Sequence, residues 1–236
     1  MNLFPLTDEC HHYSHVSEVP WDIQKYWHQR NSIFSCYNKG IRMTDDAWFG
    51  VTPEPVAKKV AEDLAAFADP SKTIVIDIFG GVGGNSIAFA LSGRWAQVIT
   101  IEKDPSVIAC AQHNAALYGV RDQITWVNDD CFSYLSSNTW IDPSKTVIFG
   151  SPPWGGPGYT SDKIFSLNTM QPYSAKQIHD ACRGMDSALY LPRTSDLRQI
   201  ARLAPKGKKV EVVQYCMEGA SKAMVAYIPA SPVATS

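Results

Sequence analysis

The sequence predicts an α/β fold: a doubly wound, mostly parallel sheet that ends in an antiparallel hairpin and carries a small helical extension at its N-terminus. Three observations predict it. After Pro70, short β-branched runs alternate with helical patterns, which is how a parallel sheet with crossover helices reads. The run TIVIDIFGGVGGNSIAFA is an apolar strand, a glycine-rich turn and a helix in direct succession. The closing run KKVEVVQYCMEGASKAMVAYI is two alternating segments about Glu218-Gly219-Ala220, the pattern of a hairpin.

The chain has 236 residues, 45% hydrophobic and 19% charged, enough for one sizeable core. A net charge of -2 excludes the basic field that drives sequence-independent binding to long nucleic acid, so any such contact must be local. The six cysteines include no C-x-x-C pair, which disfavours both a zinc site and a disulfide framework and fits a reducing compartment. No apolar run reaches the length of a membrane span, and the first residues lack the pattern of a secretory leader, so a soluble, membrane-free intracellular protein is the expectation.

Residues 1–19 are polar and irregular and read as a loose tail; Cys10, His11, His12 and His15 within it have no second ligand pair at zinc spacing, so no metal is expected. From Pro20, the residues Ile23, Tyr26, Trp27, Ile33 and Phe34 fall on one stripe of an amphipathic helix. A second helix is expected from Thr52-Pro53-Glu54, capped by Thr52, with Val56, Val60, Leu64 and Phe67 as its apolar face. Residues 1–69 thus read as tail and helical extension, and 70–236 as the sheet domain. Within the latter, strands are expected near 73–78, 97–102, 123–127, 145–150 and 187–191, and helices near 84–92, 105–118 and 174–185.

In such a sheet a ligand binds at the carboxyl ends of the strands. Gly80, Gly81, Gly83 and Gly84 let backbone amides approach it, because a Cβ there would block the approach. Asp77 ends the first strand, where a carboxylate suits the polar groups of a bound amino acid better than pyrophosphate. Glu102 ends the second, at the place where these folds present an acid to ribose hydroxyls. Asp130 follows the third and is the candidate for an adenine amino group, with Phe132 bordering the ring and Asp129 as the competing acid.

The fourth strand leads into Ser151-Pro152-Pro153-Trp154-Gly155-Gly156-Pro157. The S-P-P-W run resembles that of enzymes that methylate planar nitrogens, and such an amine, conjugated to a ring, has its lone pair delocalised, so it needs acceptors and positioning more than a strong base. Ser151 Oγ and a carbonyl of the Pro-Pro segment supply acceptors, and the prolines stiffen that backbone and bring no N–H of their own. Trp154 offers a face for base stacking; the competing reading is a tryptophan that caps the sheet. Arg193, Arg198, Arg202, Lys206, Lys208, Lys209 and Lys222 concentrate near the last strands, and most read as solvated faces.

Beside that S-P-P-W run, the D-x-F-x-G-x-G pattern from Asp77 to Gly83 resembles a methyltransferase motif. Together with Y-W-x-Q-R (26–30), G-I-R-M (40–43), W-F-G-V-T-P-E (48–54) and F-G-G-V-G-G-N (79–85), these segments look like the trimethylguanosine synthase family over roughly residues 20–230. The resemblance implies a Rossmann-like methyltransferase that uses S-adenosylmethionine to methylate the N2 amine of 7-methylguanosine (m7G) caps on snRNA and snoRNA. It implies Ser151, Pro152 and Trp154 at the acceptor amine and Phe49, Thr52, Asp77, Gly81, Gly83, Asn85, Glu102, Asp130 and Cys131 at the cofactor. Arg42, Tyr159, Arg193 and Lys222 match positions that face the cap phosphates. A monomer in the nucleus or nucleolus, with ribonucleoprotein core proteins as further partners and the cytoplasm as a second location, is the accompanying expectation. Arg42 and Glu102 stand where relatives often carry lysine and aspartate, which keeps charge and changes reach. Two alternatives remain at this point: an amine methyltransferase for internal guanine or adenine of rRNA or DNA, and a non-catalytic cap-binding module, which the intact glycine turn and acids disfavour.

Overall fold

A computed structural model describes residues 2–155, 163–182, 184–217 and 219–231. Seven strands form one sheet: β1 (Ile74–Asp77), β2 (Gln97–Glu102), β3 (Ile124–Asn128), β4 (Thr146–Gly150), β5 (Asp186–Pro192), β6 (Glu211–Met217) and β7 (Ala220–Ile228). Their order is β3-β2-β1-β4-β5-β7-β6. The first five pair in parallel, and β7 inserts antiparallel between β5 and β6. Strand β1 lies between β2 and β4, so the crossover direction reverses there and a crevice opens at the carboxyl edge.

Alternation builds the two faces. Val75 is in register with Val98 and Val147, and Ile76 with Ile99 and Ile148. The valines belong to one buried cluster and the isoleucines to a second on the opposite face, as a side-chain period of two requires. Parallel neighbours need crossovers, which α4 (Gly84–Leu91), α5 (Pro105–Leu117), α6 (Cys131–Ser137) and α7 (Ala175–Ala181) provide, preceded by α1 (Gln24–Trp27), α2 (Arg30–Ile33) and α3 (Glu54–Phe67) and followed by α8 (Leu197–Ala201). The expected strands and the helices near 84–92 and 105–118 agree with these to within two residues; the third expected helix ends four residues early, at Ala181. Short α6 and α8 carried no clear periodicity, yet each is capped by an aspartate, Asp130 and Asp196 respectively. Among the described residues no helix is long and apolar enough to cross a membrane.

Three expectations for the N-terminal region fail. The stripe from Pro20 is two single turns, α1 and α2, broken at His28 and Gln29. Thr52 does not cap α3: the N-cap is Pro53, with no side-chain cap, and the Thr52 hydroxyl instead accepts from Asn85 Nδ2 at 3.0 Å. Residues before 20 are not a loose tail. Phe4 N donates to Gln112 Oε1, Thr7 Oγ1 to Ser106 Oγ, and His11 and Met43 exchange two backbone bonds of 2.9 Å. Gln112 of α5 pairs with backbone groups of both Asn2 and Phe4 while Ser106 holds the Thr7 side chain, so the segment docks without a long apolar run of its own. Cys10 is buried, His11 Nδ1 lies 3.0 Å from an Asp45 oxygen and His12 Nδ1 donates to the Ile41 carbonyl at 2.8 Å. No group of three or more metal-ligating side chains gathers among the described residues.

Candidate functional site

The glycine turn between β1 and α4 is shaped by close approach. A Cβ on Gly80 would fall 2.3 Å from Thr100 Cγ2, and one on Gly83, which adopts a φ of +94°, would fall 3.3 Å from the Ala111 α-carbon. Glu102 holds this turn in place: one carboxylate oxygen accepts from Gly81 N and the other from Asp104 N, both at 3.0 Å. Burial pushes the Glu102 carboxyl upward, against the pull of those two amides. Asp77 is fully enclosed rather than open to the crevice, accepting from Ser86 Oγ at 2.6 Å. Burial raises it to about 7 despite the Ser86 hydrogen bond.

The N-terminal region covers this turn. A Cβ on Gly84 would meet the Thr52 carbonyl at 3.1 Å, and Phe49, nearby in sequence, packs edge-on against Tyr26 at 5.5 Å. Asn85, on the first turn of α4, spends its amide N–H on Thr52, while its Oδ1 is buried with no hydrogen-bond partner. A buried acceptor beside a glycine cradle fits a ligand that brings a cationic or N–H donor. Asp130 caps α6 through Oδ1, which accepts from Phe132 N and Ser133 N, and its Oδ2 accepts from Tyr173 Oη at 3.3 Å. Asp129, the competing acid, is exposed and accepts from Asp130 N. Cys131 belongs to the buried cluster that holds the sheet's isoleucines, and burial pushes its thiol up to about 12, so it is neither a nucleophile nor a charge.

At the end of β4, Ser151 is half-buried and Pro152 buried. Trp154 lies over β5: its Nε1 donates to the Tyr190 carbonyl at 3.3 Å and its ring stacks on that of Tyr190. Arg193 follows β5 directly and donates to the Ser221 carbonyl of β7, next to Lys222. The structure thus places Trp154, Arg193 and Lys222 on the hairpin side of the crevice. Arg42 has a different setting, on the α5 side: its backbone N–H donates to Asn114 and its guanidinium to the Cys10 carbonyl. There it lines a depression of about 500 Å³ with His11, His12 and Tyr13. Tyr159 lies outside the described residues. Sequence reading missed Tyr173, Tyr190, Ser86 and Asn114; Tyr190 was marked only by lying in an apolar strand, and Tyr173 by nothing local.

A sheet of this order, with a glycine turn after β1 and acids at the ends of three successive strands, defines a Rossmann-like methyltransferase. A putative methyltransferase of Porphyromonas gingivalis W83 has the same fold, with a TM-score of 0.60 at 16% identity over 90% of this chain and 51% of that one. Residues 72–231 match the model of the RNA cap guanine-N2 methyltransferases. Trimethylguanosine synthase of Schizosaccharomyces pombe is 34% identical over 212 residues, 89% of this chain and 87% of that protein. Trimethylguanosine synthase of Saccharomyces cerevisiae is 34% identical over 187 residues, 77% of this chain and 58% of that protein. The chain belongs to the RNA cap guanine-N2 methyltransferase family, and its cofactor is S-adenosylmethionine. Neither internal-base methylation nor a non-catalytic cap-binding role is favoured by these matches.

Proposed function

We propose that this enzyme acts on m7G caps and adds methyl groups at N2 to give 2,2,7-trimethylguanosine, with snRNA and snoRNA as the transcripts. The observation that carries the reading is Trp154, fixed beside the Ser151-Pro152 backbone by its hydrogen bond and stacking on Tyr190. Methylation at N7 makes the guanine ring cationic, and a cation over an indole face gains about 0.5–2 kcal/mol that neutral guanine lacks. Bound S-adenosylmethionine supplies an electrophilic methyl group.

The chain's own part is positional. Gly81, Gly83, Asn85 and Thr52 hold the amino-acid end of the cofactor, and Glu102 meets the ribose. Asp77, enclosed as it is, supports the turn through Ser86. The Ser151 hydroxyl and the Pro152 carbonyl accept the amine's hydrogens, which orients its lone pair toward the methyl donor. Arg193 and Lys222 meet the cap phosphates from the hairpin side, and Arg42, whose guanidinium donates to the Cys10 carbonyl on the α5 side, is a third donor candidate from the other side; a triphosphate needs only a few such donors, which suits a chain of net charge -2. A monomeric enzyme in the nucleus and nucleolus, brought to its transcripts by ribonucleoprotein core proteins, completes the proposal.

The test is mass spectrometry of products from m7GTP and GTP under identical conditions, with kcat/KM for each. Methylation of m7GTP at N2, with GTP a poor substrate, is the expected outcome. Equal kcat/KM, or a methyl group elsewhere than N2, overturns the m7G reading.

A further inference from the structure

We propose that Tyr173 is a wall of the adenine subsite and a positioning residue for cofactor binding. The proposal rests on the reading of Asp130 as the acid that meets the adenine amine. Tyr173 lies in the segment between β4 and α7, far in sequence from the glycine turn, yet four groups converge on it. Its ring meets Phe132 edge-on at 4.7 Å and lies 6.3 Å from Phe79, the residue that precedes the glycines. Lys103, just after Glu102, places its ammonium 5.9 Å from the ring centre. The hydroxyl donates to Asp130 Oδ2 at 3.3 Å.

The neighbours of this tyrosine therefore come from the ends of β1, β2 and β3, the three strand ends that border the crevice. The hydrogen-bond count leaves room for a base. Asp130 Oδ1 is taken by the two capping amides, Phe132 N and Ser133 N. Oδ2 has two lone pairs, of which Tyr173 uses one, so an exocyclic amine can use the other with the phenol in place. A phenol that also contacts Phe132 and Phe79 presents a flat, half-buried aromatic surface at that same edge. Base–aromatic contact is tolerant of geometry and depends on the ring more than on the hydroxyl. Orientation of the carboxylate is already fixed by the helix cap, so the hydroxyl is the lesser contribution.

The experiment is calorimetric binding of S-adenosylhomocysteine and, by competition, of S-ribosylhomocysteine, which lacks the base. Tyr173→Ala is expected to weaken S-adenosylhomocysteine by about 5- to 20-fold, the size of one base–aromatic contact, and to leave S-ribosylhomocysteine unchanged. Tyr173→Phe keeps the ring and is expected to stay within about threefold of the parent. Tyr173→Leu fills the same space without a flat face, so it behaves as the alanine variant does even if the latter folds poorly. Equal losses for both ligands would make Tyr173 a purely structural residue, and unchanged or tighter S-adenosylhomocysteine binding would make it a bystander or a plug; either overturns the proposal. Asp130→Asn retains a cap acceptor and removes the acceptor for the amine. An unchanged affinity in that variant defeats the Asp130 reading itself, independently of the Tyr173 result.

Discussion

The indole of Trp154 and the phenol of Tyr190 lie nearly parallel, 12° apart in plane with ring centres separated by 5.9 Å, and the indole N–H donates to the carbonyl of the same tyrosine. One residue of β5 thus fixes both the tilt and the height of the side chain that follows the Pro-Pro segment. Tyr190 is itself buried and in register with Val225 of β7, so the support is part of the sheet. A platform held this way loses little freedom when a base arrives.

Trp154→Ala is expected to lower kcat/KM for an m7G cap by about 10- to 100-fold, the range of a stacked and charged base, with S-adenosylhomocysteine affinity nearly unchanged. Trp154→Phe should retain part of the activity. The preference for m7GTP over GTP should shrink in the alanine variant. Parental rates in Trp154→Ala would reduce the tryptophan to a cap on the sheet.

Glu102→Gln tests the ribose contact with the turn partly preserved, since the amide oxygen still accepts one of the two N–H groups from Gly81 and Asp104. The expected loss in S-adenosylhomocysteine affinity is roughly 10- to 100-fold, as for a charged hydrogen-bond acceptor. Glu102→Ala should lose more and also lower the melting temperature of the empty protein, because it leaves both amides without that acceptor. Calorimetry and thermal melting separate the two effects; unchanged affinity in both variants would remove Glu102 from the cofactor site.

Glu54 governs an acid-sensitive joint. Burial alone would raise its carboxyl, but Lys58, the Tyr118 hydroxyl and Ser35 overcome that and hold it at about 2, below its usual 4.5. The folded state therefore binds this proton less readily than the unfolded chain. The associated stability is complete above about pH 4.5 and is lost as pH falls through about 2. Lys58 is more than half exposed, so screening lowers the gain to about 1–3 kcal/mol. In urea titrations Glu54→Gln should be less stable than the parent by that amount near neutral pH, with the gap closing toward about pH 2. A gap that is independent of pH would contradict the ion-pair account.

Gly80→Ala should cost about 1–3 kcal/mol through overpacking, because its Cβ would fall 2.3 Å from Thr100 Cγ2. Thr100→Ser removes the clashing methyl group, so the double variant should recover part of the loss. Denaturant midpoints of the four proteins form a cycle whose coupling term is expected to be favourable. Additive losses would place the strain elsewhere.

The strands, the longer helices and the order of acids along the crevice edge were legible because each rests on a local pattern: β-branched runs, helical periodicity, glycines after a strand. Thr52 and Asn85 were each assigned to the cofactor pocket but not to each other, since hydrogen bonding across 33 residues leaves no local trace. The N-terminal segment was misread for the same reason: its partners, Gln112 and Ser106, are polar residues of α5 that look like surface positions in the sequence. Asp77 was placed at the right strand end, yet only the fold shows that Ser86 closes over it. Tyr173 had no signal at all, because its neighbours come from three separate strand ends, at Phe79, at Lys103, and at Asp130 with Phe132.

Asn114, fully enclosed in α5, commits its side-chain carboxamide to two distant stretches: its oxygen accepts from Arg42 N, and its amide donates to the carbonyls of Arg42 and of Val82 within the glycine turn. The strap that carries Arg42 and the loop that cradles the cofactor therefore share one clasp. Asn114→Ala would therefore leave backbone groups unpaired in the strap and in the loop at once.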